Sequence, residues 1–370
     1  MDEFVQSLAP LRPTMHHEVV TTTAAPATMD DVAALAGVST STVSRALRDS
    51  PLISPSTRER VQQAAAQLDF ALSRAASALA TGRLGRIGLL VSGALSTWFN
   101  ASVLDAAYAT LREAGQELVI YSTKDDADRS DFFARLPAQR NVDALIVASF
   151  QLRPEEYARL AELSVPVVYL NQQVENSASV FIDDVEAAAL GTRHLINLGH
   201  RRLAYVATRD PEGFTFSATG RRDGVERAAA QHNGAHPEDP VTVSAVTVGA
   251  TGGGIEVGQL AVGQLLGGDT VPTAVVTESD EVAMSLIPAL QRAGLRVPAD
   301  VSVLGFDDNV LAPLFDLTTI AQPVAELGRT AARAALTLSV QGPDGLDQPH
   351  QRLPTRLVLR GSTVVPRTSA

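Results

Sequence analysis

The chain has 370 residues, 45% of them hydrophobic, no Cys and a formal net charge of −11. This length accommodates two or three domains of ~100–200 residues each, and the apolar fraction supports a sizeable core and excludes wholesale disorder. The lack of Cys excludes a disulfide framework and thiolate metal sites, and it suits a reducing compartment.

Residues 1–28 read as a disordered Thr/Pro/Ala tail carrying Arg12 against Asp2, Glu3 and Glu18. No basic segment followed by an apolar one is present there, so no secretory signal is expected, and no run of ~18 apolar residues would span a membrane. The expected location is the cytoplasm. Residues 29–86 hold seven Arg against five acids, which leaves the acidic excess to the rest of the chain. A small, mildly basic module therefore precedes a large acidic one, and only the first suits a phosphate backbone.

The segment TMDDVAALAGVSTSTVSRALRD (28–49) reads as helix, turn, helix. Thr28 and Asp31 fit a capping box, and Val32, Ala33, Leu35 and Ala36 supply an apolar face. Gly37 suits a left-handed helix end, and Ser39 suits the N-cap of a second helix that buries Val43, Ala46 and Leu47. A third helix is expected from Ser54-Pro55 to about Leu68, burying Val61, Ala65 and Leu68. Three short helices with a tight Gly turn match the DNA-binding helix-turn-helix. Thr40, Ser41, Ser44 and Arg45 then occupy the exposed side of the second helix, whose N-terminal end meets base edges in such motifs. Spacing alone leaves a solvated Ser/Thr-rich helix start as the alternative.

From Arg86 short apolar strands alternate with amphipathic helices: IGLLV (87–91), ELVIYS (117–122), VDALIVA (142–148), VPVVYLN (165–171), RRLAYVA (201–207), TAVVTES (273–279) and VSVLGFDD (301–308). Helices are expected around 101–114, 186–198, 221–232 and 323–340. This alternation predicts parallel sheets covered on both faces, divided between two doubly wound subdomains. A Gly/Pro/Asp-rich loop at 342–349 and a final strand, TRLVLRGST (355–363), break the pattern.

Catalytic signatures are not found. Gly252-Gly253-Gly254 lacks the third Gly of a dinucleotide fingerprint, and neither a phosphate loop nor a G-x-S-x-G elbow occurs. His194 and His200 are six apart, the wrong spacing for a metal pair on one helix face, so no metal is expected. Asp183-Asp184 and Asp307-Asp308 are paired carboxylates that suit either acid–base work or, at strand ends, binding of ligand hydroxyls. With no nucleophile, metal cluster or phosphate loop, binding is favoured and no cofactor is expected.

These motifs, in order, resemble the LacI/GalR family of bacterial transcription regulators over about residues 29–365. DVAALAGVSTSTVSRAL (31–47) resembles its helix-turn-helix signature and SPSTRERV (54–61) its third helix. HLINLGHRRLAYV (194–206), RRDG (221–224), LRVPADVSVLGFDD (295–308) and LTTIAQPVAELGRTA (317–331) resemble further landmarks. The resemblance implies a helix-turn-helix domain at 29–72, a hinge helix at 73–82 and an effector-binding core at 86–370. The core would resemble periplasmic sugar-binding proteins, with an N-subdomain of about 86–184 and 323–342 and a C-subdomain of about 185–322 and 353–365. In the hinge, Arg74 and Leu79 would contact DNA, Leu79 as a wedge in the minor groove. Leu72 stands where the family usually has Pro.

For the core the resemblance implies effector binding by Ser92, Trp98, Phe99, Asn171, Arg221, Ser279 and Asp307. Arg221 and Asp307 match effector-binding positions, and Ser279 departs from the usual Asn. The implied partners are palindromic operator DNA, a small polar effector such as a sugar or sugar derivative, and a second copy in a homodimer, with no membrane. The end of the chain, VVPRTSA, lacks the Leu heptads of a tetramerisation coil. A sugar-binding protein without DNA binding, or an enzyme acting on the same ligand, are the other classes.

Overall fold

The computed structural model describes residues 27–47, 50–70, 82–148, 151–209, 217–249, 254–268, 270–342 and 344–367. The tail before residue 27 and the hinge segment with Arg74 and Leu79 lie outside the described residues. The chain divides into two compact units, Met1–Ala80 and Thr81–Ala370.

In the first unit, α1 (Met29–Ala36), α2 (Thr40–Ala46) and α3 (Pro55–Gln67) begin where their caps dictate. The Thr28 hydroxyl accepts the Asp31 N–H while the Asp31 carboxylate accepts the Thr28 N–H, which satisfies two otherwise orphaned donors. Gly37 ends α1 at φ 65°, a conformation that costs a side-chain-bearing residue energy. The Ser39 hydroxyl accepts the Thr42 N–H at the start of α2, and Ser54 does the same for Thr57 with Pro55 at the first helical position. Val32, Ala33, Ala36, Val43, Ala46, Val61, Ala64 and Ala65 form one buried cluster. Leu35, expected on the apolar face, is 51% exposed. The buried stripe runs through Val32, Ala33 and Ala36, and Leu35 falls beyond its edge.

The second unit contains two six-stranded sheets. The first comprises β1 (Arg86–Ser92), β2 (Glu117–Thr123), β3 (Ala144–Ala148), β4 (Val167–Leu170), β5 (Ala178–Phe181) and, far along the chain, β11 (His350–Arg352). All its pairings are parallel. Its intervening helices are α4 (Trp98–Glu113), α5 (Asp126–Arg135), α6 (Ala138–Asn141) and α7 (Pro154–Ala161). The second sheet comprises β6 (Arg202–Arg209), β7 (Thr242–Gly249), β8 (Ala274–Thr277), β9 (Ser302–Asp307), β10 (Thr318–Ala321) and β12 (Arg356–Val358). It is parallel except for β12, which runs antiparallel to β10. With it go α8 (Asp184–Asn197), α9 (Ala218–Ala235), α10 (Ile255–Leu266) and α11 (Asp280–Arg292), whereas α12 (Val324–Gln341) returns to pack on α4 and the first sheet.

This is an α/β core of two doubly wound parallel-sheet subdomains behind a small helical unit. Central strands such as β3 and β9 are buried along their whole length, as sheets covered on both faces require. The chain passes from one sheet to the other after Phe181, after Ala321 and after Arg352, so strand ends of both subdomains face one another there.

The end of the chain differs from the expected single strand. Residues 350–352 join the first sheet, and only 356–358 form ladder in the second. Beyond them the chain is held by side-chain and backbone bonds: Ser302 Oγ accepts the Val364 N–H at 3.0 Å, and the Ser362 carbonyl accepts the Val303 N–H at 2.9 Å. His194 and His200 serve the same segment, bonding Thr363 and the Val364 carbonyl at 3.0 and 2.8 Å. That is a structural role for both imidazoles, and among the described residues no cluster suited to a metal ion occurs.

Candidate functional site

On α2, Val43 and Ala46 are buried, Ser41 and Arg45 are exposed, and Thr40 and Ser44 are half-buried. The exposed side therefore carries hydroxyls near the N-terminus and a guanidinium in the last turn. Ser39 Oγ lies 2.9 Å from both Ser41 Oγ and Thr42 Oγ1, which organises the hydroxyls around the cap.

In the second unit a cleft of about 300 Å³ lies where the subdomains face each other. Ser92, Phe99, Asn171, Arg221, Ser279 and Asp307 line it together, although they come from six different segments. Trp98 instead lines a neighbouring cavity of about 500 Å³ with Asp308, Arg329 and Arg356, and Gln322 borders both. Successive positions at the start of α4 thus address two different spaces.

Arg221, in the first turn of α9, anchors the C-terminal side. It is 6% exposed; its Nε donates to Asp184 Oδ1 at 2.8 Å, and its Nη1 donates to the Glu278 carbonyl and lies 3.7 Å from Asp307 Oδ1. Its guanidinium also stacks 3.6 Å above the Phe306 ring. Only a planar fork serves an acid, a carbonyl and an aromatic face at once. Asp307 accepts from Gln322 Nε2 at 2.5 Å. Burial raises the Asp307 carboxyl well above its ordinary range, and the nearby Arg221 charge opposes that rise. Burial raises Asp184 in the same way.

On the N-terminal side Asn100 Nδ2 donates to the Ser92 and Ala94 carbonyls, both at 3.0 Å, and so shapes the turn after β1. Arg129 forms a buried ion pair with Glu156, at 2.6 Å from Nε to Oε1. Contacts join the subdomains across the cleft. Asn171 Nδ2 donates to Ser217 Oγ at 3.3 Å, and the Glu281 carboxylate accepts the Trp98 backbone N–H. Asn171, Ser217, Asp307 and Asp308 all have positive φ. Such backbone concentrates where surrounding structure fixes side chains for function.

Of the paired carboxylates only Asp307 lines the cleft. Asp183 caps α8 and Asp184 holds Arg221; Asp308 pairs with Arg360 at 2.6 Å. Ser279 caps α11 by accepting the Val282 N–H at 3.3 Å. Sequence reasoning missed Arg129, Glu278, Glu281 and Gln322. Glu278 ends the run TAVVTE, where the strand-end reading that gave Ser92 and Asn171 would have reached it, whereas Arg129 lies inside α5 and has no local signal.

Behind the cleft, Asp280 is fully buried, accepting the Asn309 N–H at 2.7 Å and the Thr319 hydroxyl at 2.6 Å. Burial pushes its carboxyl up to about 7, against 3.8 in an unstructured chain. The folded state therefore retains a proton that the unfolded state releases, and stability from this group is full near pH 3.8 and falls as pH rises through about 7. Asp280→Asn is expected to remove that dependence. Its unfolding midpoint should gain on the wild type from about pH 5 to about pH 8. A midpoint difference that stays flat over this range would refute the assignment.

A three-helix unit with a polar exposed face, followed in the chain by a two-sheet core with a polar cleft, defines a DNA-binding transcription regulator with a binding-protein-like core. Residues 28–72 match the bacterial regulatory proteins of the lacI family, and residues 192–363 match the periplasmic binding protein-like domain. The HTH-type transcriptional repressor PurR of Vibrio cholerae serotype O1 (strain M66-2) is 31% identical over 82% of this chain and 89% of its own length. The HTH-type transcriptional regulator GalS of Salmonella typhimurium is 32% identical over 84% of this chain and 89% of its own. The lac repressor dimer bound to operator and the anti-inducer ONPF superposes with a TM-score of 0.77 at 28% identity, covering 92% of this chain and 99% of that one. The chain belongs to the LacI family of bacterial regulatory proteins. Among the described residues no helix is long and apolar enough to cross a membrane.

Proposed function

We propose that this chain is an effector-controlled repressor that binds a palindromic operator as a homodimer and has no enzymatic activity. The observation that carries the reading is the convergence of Ser92, Phe99, Asn171, Arg221, Ser279 and Asp307 on one cleft between the subdomains. A small polar effector, a sugar or sugar derivative, held there touches both subdomains and biases the angle between them, and operator affinity follows that angle. Thr40, Ser41, Ser44 and Arg45 contact the operator; Arg74 and Leu79 act in the hinge. Val310, Leu311 and Leu314, exposed on one short segment, suit a protein–protein contact and support self-association. The names of PurR and GalS and the operator-bound lac repressor dimer support the same reading.

The test begins by selecting preferred duplexes from a random DNA pool with the full chain. Arg45→Ala should then weaken binding to the selected duplex by about 1–3 kcal/mol at one fixed salt concentration, the worth of a specific Arg contact. Its unfolding midpoint should not change, because Arg45 is exposed. Failure to select any sequence, or full affinity in the variant, would overturn this reading or the role of Arg45 respectively.

A further inference from the structure

The charge left uncompensated in the cleft is one-sided. The cations lining it are already paired: Arg221 with Asp184 and Asp307, Arg129 with Glu156. Two carboxylates lining it are not. Glu278 accepts only the backbone N–H and hydroxyl of Thr208, and Arg221 reaches its backbone carbonyl rather than its carboxylate. Glu281 accepts the Trp98 N–H. Among the described residues neither forms an ion pair.

A second, independent observation points the same way. Asn171 and Gln322 line the cleft, each is only 6% exposed, and each keeps one buried side-chain oxygen without a partner. Their amide nitrogens already donate, Asn171 to Ser217 and Gln322 to Asp307, so the buried atoms left with no partner at all are acceptors. Buried acceptors without donors are costly and rare in folded proteins. A ligand that supplies donors satisfies all four residues, and one that supplies a positive charge also compensates the two carboxylates.

We infer that the effector is a small, donor-rich amine, such as an amino sugar, whose ammonium sits against Glu278 and Glu281 while its hydroxyls serve Asn171 and Gln322. This rests on the proposed function and narrows its ligand class. A carboxylate or phosphate in the same place would meet the two acids and find no unpaired cation among the cleft residues named. Burial holds both carboxyls above their ordinary range, as expected for acids waiting for a cation.

The experiment is a thermal-shift and calorimetric comparison on the full chain at one ionic strength. The probes are glucose, glucosamine, N-acetylglucosamine and glucose 6-phosphate, with the corresponding galactose series. The expected result is stabilisation by an amine member and little or none by its neutral, acetylated or phosphorylated counterparts. Glu278→Gln and Glu281→Gln should each weaken the amine by about tenfold or more, with circular dichroism confirming the fold. The probe comparison on the wild type stands even if a variant fails to fold. No shift with any amine, an equal or larger shift with the neutral or phosphorylated members, or full amine affinity in both folded variants overturns the inference. Selection of a DNA sequence by the same preparation separates the outcomes. A protein that selects DNA but ignores amines refutes the ligand class alone, and one that selects no DNA refutes the underlying function.

Discussion

Arg221→Met is expected to lower the stability of the core by about 3–5 kcal/mol and to abolish effector binding. The side chain is almost fully buried and answers Asp184 and Asp307 while stacking on Phe306. Met fills much of the volume but leaves two buried carboxylates without their cation. That uncompensated charge, rather than lost contact area, sets the size of the effect. Arg221→Lys should lie between: it keeps the charge but cannot fork to Asp184 and the Glu278 carbonyl together. Adding Asp184→Asn to Arg221→Met should recover part of the loss, because one stranded charge is removed with its partner. Urea unfolding of all three variants gives the measurement. A loss below about 1 kcal/mol for Arg221→Met would mean that the ion pairs are solvated and the cleft is not built around them.

Gly305→Ala should be comparably damaging, for a steric reason invisible in the residue's own strand. A Cβ at Gly305 would lie 2.1 Å from Asp280 Oδ1 and 2.9 Å from Leu317 Cδ2. The carboxylate cannot step aside without giving up the Asn309 N–H and the Thr319 hydroxyl. Overpacking and the lost buried hydrogen bonds together point to about 3 kcal/mol or more. Asp280 begins α11, beside Ser279 and Glu281 of the cleft wall, so ligand affinity should fall along with stability. Asp280→Ser in the Gly305→Ala background should restore part of the stability, since a shorter side chain vacates the collision. If the double variant were as unstable as the sum of the single ones, the carboxylate would not be the atom being struck.

The helical unit was legible almost completely, because its signals are local. Thr28, Gly37, Ser39 and Ser54-Pro55 each act within a turn of the helix end they define. Leu35 is the exception, since which of two adjacent stripes is buried depends on where the other helices lie. In the core, long apolar runs such as ALIVA and VSVLGF marked buried strands well. The missed strands carry weaker patterns. β7 is largely exposed at a sheet edge, β5 and β10 have four residues each, and β11 has three.

By itself the sequence determined the architecture: capped short helices in front, then strand–helix units whose C-terminal strand ends are the natural place for a ligand. It also placed Ser92, Asn171 and Asp307 at such ends, since each follows directly from a strand's apolar run, whereas Ser279 came from the family resemblance. Only the tertiary structure decided how those ends combine. It turned Phe99 into the cleft and Trp98 into the adjoining cavity, and it set Arg129 of α5 against Glu156 of α7. It also joined Glu281 to the start of α4 and left Asn171 and Gln322 each with an open acceptor. The physical reason is range. Caps and apolar periodicity are written within a few residues, whereas ion pairing, burial of charge and unmet hydrogen bonds depend on groups that only folding brings into contact.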